Sequence, residues 1–136
     1  MGFCGVLGCS TPQTPVSAPG AGMTCIQGVV SYVNPVISAR SPYANAKITA
    51  WESGKDRALL ETKADKDGNY CIEVPLESSR VDLRVWGLER FERTDFVCEG
   101  SVSDLELGSV ARECSKGNCL KADITAQCRE RVDRRR

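Results

Sequence analysis

The sequence contains no histidine. Histidine is the usual general base, the usual partner of a serine or cysteine nucleophile, and the commonest metal ligand. Its absence therefore argues against most hydrolase sites and most metal centres. It also excludes haem attachment through Cys-x-x-Cys-His, and no cysteine pair in the chain has the shorter Cys-x-x-Cys spacing either. We expect a protein that is not an enzyme and has no cofactor.

The chain also lacks net charge. Its 18 Lys and Arg residues are balanced by 18 Asp and Glu residues, so no overall field attracts nucleic acid or an acidic surface. We expect no nucleic-acid partner. A length of 136 residues suits one domain, in which roughly two-thirds of the surface of the unfolded chain becomes buried.

Cysteine, in contrast, is abundant. The chain has eight cysteines: Cys4, Cys9, Cys25, Cys71, Cys98, Cys114, Cys119 and Cys128. Scattered cysteines without histidine partners favour disulfide bonds in an oxidising compartment. The alternative is a zinc-thiolate protein, because Cys114 and Cys119 have a permissible spacing for one pair of zinc ligands. A second short pair is missing from the sequence.

The amino-terminal residues 1–23 have the pattern of a signal remnant and a tether. An apolar, uncharged start is followed by a Ser, Thr, Pro, Gly and Ala-rich segment, which is typical of a flexible linker. Between them, the tetrapeptide Val6-Leu7-Gly8-Cys9 resembles the lipobox of bacterial lipoproteins. The resemblance implies lipidation of Cys9 and a membrane anchor in the bacterial cell envelope. A secreted protein without the anchor is the alternative.

If Val6-Leu7-Gly8-Cys9 is a lipobox, an even number of cysteines remains in the folded part. Loss of Cys4 with the signal and lipidation of Cys9 leave six candidates for three disulfides: Cys25, Cys71, Cys98, Cys114, Cys119 and Cys128. The sequence alone leaves their pairing open. Cys25 and Cys71 are both out of phase with the inward residues, which predicts that they meet across the outer face of one sheet.

From Thr24 onward the apolar residues alternate with polar ones, which predicts half-buried β-strands. The inward residues of four strands are Ile26, Gly28 and Val30; Ala46, Ile48 and Ala50; Tyr70, Ile72 and Val74; and Val81, Leu83 and Val85. Further strands are predicted at 58–63, 91–98, 104–110 and 119–125. Turn-forming clusters separate the strands, and no convincing amphipathic helix is present. The pattern predicts an antiparallel β-sandwich of about seven or eight strands.

The order of these segments resembles the carboxypeptidase regulatory-like domain. The segments that carry the resemblance are GVVS at 28–31, SPYANAKITAWES at 41–53, ALLETKADKDGNYCIEVPLESSRVDLRV at 58–85 and DLELGSV at 104–110. The resemblance implies a transthyretin-like (Ig-like) β-sandwich over residues 24–110. Residues 111–136 would form a carboxy-terminal extension with cysteines, in which an added strand is stapled back onto the sandwich, and a basic tail.

The same resemblance bears on function. Domains of this family usually accompany other modules, which implies an accessory role, structural or in binding a protein partner in the cell envelope. Members of the fold that hydrolyse a urate derivative depend on histidines, which this chain lacks. We therefore expect no catalytic residues.

The segment ADKDGN at 64–69 is similar to the start of a calcium-binding loop. A calcium loop of the helix-flanked type needs Gly at its sixth position and an acidic residue at its twelfth. Counting from Asp65, these positions are Tyr70 and Leu76. The segment instead predicts a hairpin turn at Asp67-Gly68 and no metal site.

Two tryptophans are the best candidates for binding. Trp51 follows the inward Ala50, and Trp86 follows the inward Val85, so both rings are predicted on the outer face. There they can stack on a carbohydrate or anchor a protein partner. The plainer alternative is that each ring covers a sheet edge or packs under a loop.

Overall fold

The computed structural model describes residues 22–131. These residues form strands and two short 3-10 turns, with no α-helix among them. The nine strands are β1 (Met23–Val33), β2 (Arg40–Pro42), β3 (Lys47–Glu52), β4 (Ala58–Lys63), β5 (Asn69–Pro75), β6 (Arg80–Phe91), β7 (Thr94–Glu106), β8 (Leu120–Lys121) and β9 (Ile124–Glu130). The predicted all-β class is confirmed.

The strands form one mixed, curled sheet in which β1 is shared by two sets of partners. Its first part pairs antiparallel with β5 and parallel with β8. Its last part pairs antiparallel with β2 and parallel with β9. The longer path through the sheet runs β2-β1-β9-β7-β6-β3-β4. The expectation of a purely antiparallel arrangement is wrong, because both strands after residue 119 run parallel to β1.

The core follows the alternation read from the sequence. Ile48 and Ala50 of β3 are fully buried, and so are Val81 and Leu83 of β6. The alternate residues Tyr70, Ile72 and Val74 of β5 are buried as well, while their neighbours are partly or fully exposed. Buried residues from β1, β3, β5, β6 and β9 belong to a single cluster. The period-two pattern therefore predicted these inward faces correctly.

The longest pair of strands is a hairpin that the sequence did not indicate. β6 and β7 meet at a two-residue turn, Glu92-Arg93, and both turn residues have positive φ angles of 49° and 71°. Nearer the other end, Asp104 lies in a bulge with φ 60°, where the β6–β7 register shifts. β7 ends at Glu106, so the predicted separate strand at 104–110 is wrong.

The residues beyond 110 contribute to the same core. β9 lies between β1 and β7, and its Ile124 and Ala126 are buried in the cluster that contains Ile26. The Tyr70 hydroxyl donates a hydrogen bond to the Ala122 carbonyl oxygen, and burial raises the pKa of Tyr70 above its usual range. One strand was predicted at 119–125, but the segment forms the two strands β8 and β9.

The segment after β4 is a turn, as predicted. Gly68 has φ +84°, and the Asp65 carboxylate accepts hydrogen bonds from the amides of Asp67 and Asn69 at 2.8 and 2.9 Å. These two bonds lower the pKa of Asp65. The hairpin prediction is wrong, however, because β4 pairs with β3 and β5 pairs with β1. The turn instead connects strands that have different partners.

Candidate functional site

Three disulfide bonds join the described cysteines: Cys25–Cys119, Cys71–Cys114 and Cys98–Cys128. The prediction of disulfide bonds is confirmed, and the bonds indicate an oxidising extracellular or envelope compartment. Cys4 and Cys9, the predicted lipidation site, lie outside the described residues. In the part of the chain from 22 to 131, no helix is long and apolar enough to cross a membrane.

The inferred Cys25–Cys71 bond is wrong. The register of β1 and β5 places Cys25 opposite Glu73, and Cys71 opposite Gln27. The two cysteines therefore lie on the same face but are offset diagonally. Each forms its disulfide with the segment 114–119 instead.

Both tryptophans lie on the outer face of the β3–β6 pair. In that pair Trp51 is opposite Asp82, and Thr49 is opposite Arg84. Because side chains alternate between faces, the ring of Trp86 lies on the same side of the sheet as Trp51. Their positions differ by four residues along the strand direction, which is roughly 14 Å.

A shallow groove of about 630 Å³ connects the two rings. We call it the tryptophan groove; it is lined by Lys47, Thr49, Trp51, Arg84, Val85, Trp86, Glu99, Gly100 and Ser101. The lining residues come from the three neighbouring strands β3, β6 and β7. The groove therefore combines two indole rings with hydroxyl, ammonium, guanidinium and carboxylate groups.

Arg84 occupies the middle of the groove. Its guanidinium carbon lies 4.6 Å from the centre of the Trp51 ring, an arrangement in which the aromatic face attracts the cation. The other charged groups of the groove have partners. The Glu99 carboxylate accepts a hydrogen bond of 2.7 Å from the Arg129 guanidinium, and the Lys47 Nζ atom lies 3.9 Å from the Glu61 Oε2 atom. Within residues 22–131, Arg84 forms no salt bridge with a carboxylate. Its donors remain available to a ligand.

Trp86 offers the more accessible ring. It is 54% exposed, and Leu88, the next residue on the same face, is 48% exposed. Trp51 is partly buried and has Arg84 against one face. Trp86 is therefore suited to stack on a ligand, whereas Trp51 positions the guanidinium of Arg84.

Asp82, which is opposite Trp51 in the β3–β6 register, stabilises the local backbone. Asp82 accepts hydrogen bonds from the Asp104 amide at 2.9 Å and the Ser53 hydroxyl at 2.7 Å. The Asp104 amide is the main reason that the pKa of Asp82 is lowered. An ionised carboxylate that holds a β-bulge is a poor proton donor. The groove is equipped to bind by stacking and hydrogen bonding.

The sequence indicated the two tryptophans but not the polar residues between them. Arg84 shares the parity of Trp86, and Thr49 shares that of Trp51, so alternation alone could have placed each on the outer face. Which of these residues become neighbours depends on the β3–β6 register, which alternation does not fix. Glu99 and Ser101 depend further on the β6–β7 hairpin.

Comparison of the chain with protein-family models, with curated proteins and with solved structures found no match.

Proposed function

We propose that the protein is a non-enzymatic carbohydrate-binding module of the bacterial cell envelope. One observation carries the proposal: Trp51, Arg84 and Trp86 lie together along one open groove of the sheet. A flat indole face packs well against the apolar C–H face of a sugar ring, and aromatic contacts of this kind combine apolar burial with specific geometry.

The polar lining supports a sugar ligand in particular. Thr49 and Ser101 offer hydroxyl groups, and Arg84, which forms no salt bridge with any of the described residues 22–131, offers several N–H donors. Sugar hydroxyls accept and donate hydrogen bonds in closely spaced pairs, which such a lining can satisfy. The groove runs across three strands and has the exposed ring of Trp86 along it, which suits a chain of sugars more than a single enclosed one.

A protein partner in the cell envelope is the second candidate. Trp86 and Leu88 form a short exposed apolar row on β6, and an exposed aromatic residue is a common anchor at protein interfaces. This alternative matches the accessory role implied by the resemblance to carboxypeptidase regulatory-like domains.

We also propose that the strands form a disulfide-bonded, transthyretin-like β-sandwich. The single core shared by β5 and by the β3–β6 pair supports this fold. Lipidation of Cys9 would hold this module to the membrane, with the tether up to residue 23 as a spacer. The three disulfides suit such a location.

Retention on immobilised polysaccharides tests the proposal. The panel contains neutral and uronic-acid polysaccharides, so that a contribution of the Arg84 charge is visible. We expect the protein to be retained by at least one of them, and Trp86→Ala to weaken binding at least about tenfold, which corresponds to about 1.4 kcal/mol. Arg84→Ala should weaken it as well.

The matched control is Ile37→Ala, because Ile37 is 66% exposed and lies outside the groove. Its binding should equal that of the unchanged protein. Failure of every polysaccharide to retain the protein would contradict the carbohydrate proposal. Capture of an envelope protein that depends on Trp86 and Leu88 would then favour the second candidate.

A further inference from the structure

Two of the disulfides lie side by side and bring four sulfur atoms together. Cys25 and Cys71 come from the neighbouring strands β1 and β5, and Cys114 and Cys119 come from the segment that crosses them. The Sγ atoms of Cys71 and Cys119, which belong to different disulfides, are 3.6 Å apart. All four Sγ atoms lie within 4.8 Å of one another. We call this group the four-cysteine cluster.

This spacing is close to that of a structural zinc site. Zinc is bound tetrahedrally by four thiolates with Zn–S distances of about 2.3 Å, which places the sulfur atoms about 3.8 Å apart. The contact between Cys71 and Cys119 already has this length. The two bonded pairs would have to separate to a similar distance, which side-chain rotation can supply.

We propose that reduction of both disulfides converts the four-cysteine cluster into a tetrathiolate zinc site. Each disulfide accepts two electrons and two protons from one dithiol reductant, which itself becomes a disulfide. Zinc then binds the four sulfurs as the four thiols release their protons. In an oxidising compartment the disulfides hold the fold, and under reduction the metal takes over the same cross-link.

The backbone around the cluster is held by contacts other than the disulfides. The Cys114 amide donates to the Glu73 carboxylate at 3.2 Å. Leu120 and Lys121 form β8 and pair with β1 immediately after Cys119. These contacts keep the segment 114–119 close to β1 and β5 when the sulfur–sulfur bonds open, so the ligand positions are preserved.

The chain spacing of the cysteines fits the proposal once the fold is known. Cys114 and Cys119 are separated by a turn in which Gly117 has φ 69°, and such a turn supplies one local ligand pair. The second pair is absent from the sequence as a short motif. The fold creates it by placing Cys25 and Cys71 on adjacent strands.

The remaining disulfide provides an internal control. Cys98 and Cys128 are directly opposite each other on β7 and β9 and are not members of the four-cysteine cluster. Removing them leaves all four proposed ligands in place. The zinc site shares no residue with the tryptophan groove. Failure to bind zinc would therefore say nothing about carbohydrate binding, and the reverse also holds.

The test uses the full chain with Cys4→Ser and Cys9→Ser, so that neither of these cysteines can compete for metal in the recombinant protein. The protein is reduced with a trialkylphosphine, which becomes the phosphine oxide with oxygen from water and adds no thiol of its own that could compete for zinc. Zinc alone is added, excess metal is removed by desalting, and bound zinc is measured by elemental analysis. Cobalt is substituted in parallel to report tetrahedral thiolate coordination by its visible absorption.

We expect one zinc ion per reduced chain, none per oxidised chain, and a tetrathiolate cobalt spectrum. The variant Cys98→Ser/Cys128→Ser should still bind one zinc ion after reduction, whereas Cys71→Ser/Cys114→Ser should bind none. Far-UV circular dichroism of each oxidised variant verifies its fold. Little or no zinc on the reduced, unsubstituted cluster would overturn the proposal, and so would full binding by Cys71→Ser/Cys114→Ser.

Discussion

Replacement of Ile124 by alanine tests the most consequential feature of the fold, the central position of β9. Ile124 is 1% exposed and lies in the same buried cluster as Ile26. Shortening a buried isoleucine to alanine removes apolar contacts and leaves a cavity, at a cost of about 2–5 kcal/mol. For a chain of this length, a loss of about 3 kcal/mol lowers Tm by about 10 °C.

The assay is guanidinium unfolding of the oxidised protein, followed by tryptophan fluorescence. Ile37→Ala is the matched control, because it makes the same chemical change at a side chain that is 66% exposed. A change of at most about 0.5 kcal/mol is expected there. If Ile124→Ala destabilised the protein no more than Ile37→Ala, the residues after 110 would be an appendage and the topology described above would be wrong.

Two further predictions concern backbone hydrogen bonds and strained turns. Asp65 and Asp82 have lowered pKa values because their carboxylates accept backbone hydrogen bonds. The ionised carboxylates therefore stabilise the folded state fully above their unfolded pKa of about 4. This stabilisation is lost as the pH falls through the lower pKa values of the folded state. In the variant Asp65→Asn/Asp82→Asn, the free energy of unfolding measured in urea should therefore decrease less as the pH is lowered into the acid range. An unchanged dependence on pH would contradict this. Glu92→Asn/Arg93→Gly should raise the free energy of unfolding by about 1–2 kcal/mol, since both residues have positive φ angles that Asn-Gly adopts at lower cost. A loss of stability would show that the side chains of Glu92 and Arg93 contribute more than the backbone strain removes.

Local features of the fold were predictable from the sequence. Alternation marks the inward residues of β3, β5 and β6, because burial of one face is a property of each strand by itself. The turn at Asp67-Gly68 was predictable for the same reason, since Asp65 supplies the acceptor for its own neighbours. The existence of disulfides followed from cysteine number and spacing.

Pairing between distant segments was not predictable. The β6–β7 hairpin has Glu92-Arg93 at its turn where Asn-Gly would have been the usual signal. The bond between Cys25 and Cys119 spans 94 residues, and it depends on β8 pairing with β1 next to Cys25. The same limitation applies to the tryptophan groove, because the sequence identifies Trp51 and Trp86 but not their common neighbour Arg84.

Nuclear magnetic resonance of the isotope-labelled protein shows directly whether the tryptophan groove binds carbohydrate. The polysaccharide retained most strongly is cut into short oligosaccharides and titrated into the protein. We predict that the indole N–H signal of Trp86 and the amides of Arg84 and Ser101 shift together and saturate, while the amides of β1 and β5 do not move. Saturating shifts confined to strands outside the groove, or no shifts with any oligosaccharide, would show that the groove does not bind carbohydrate.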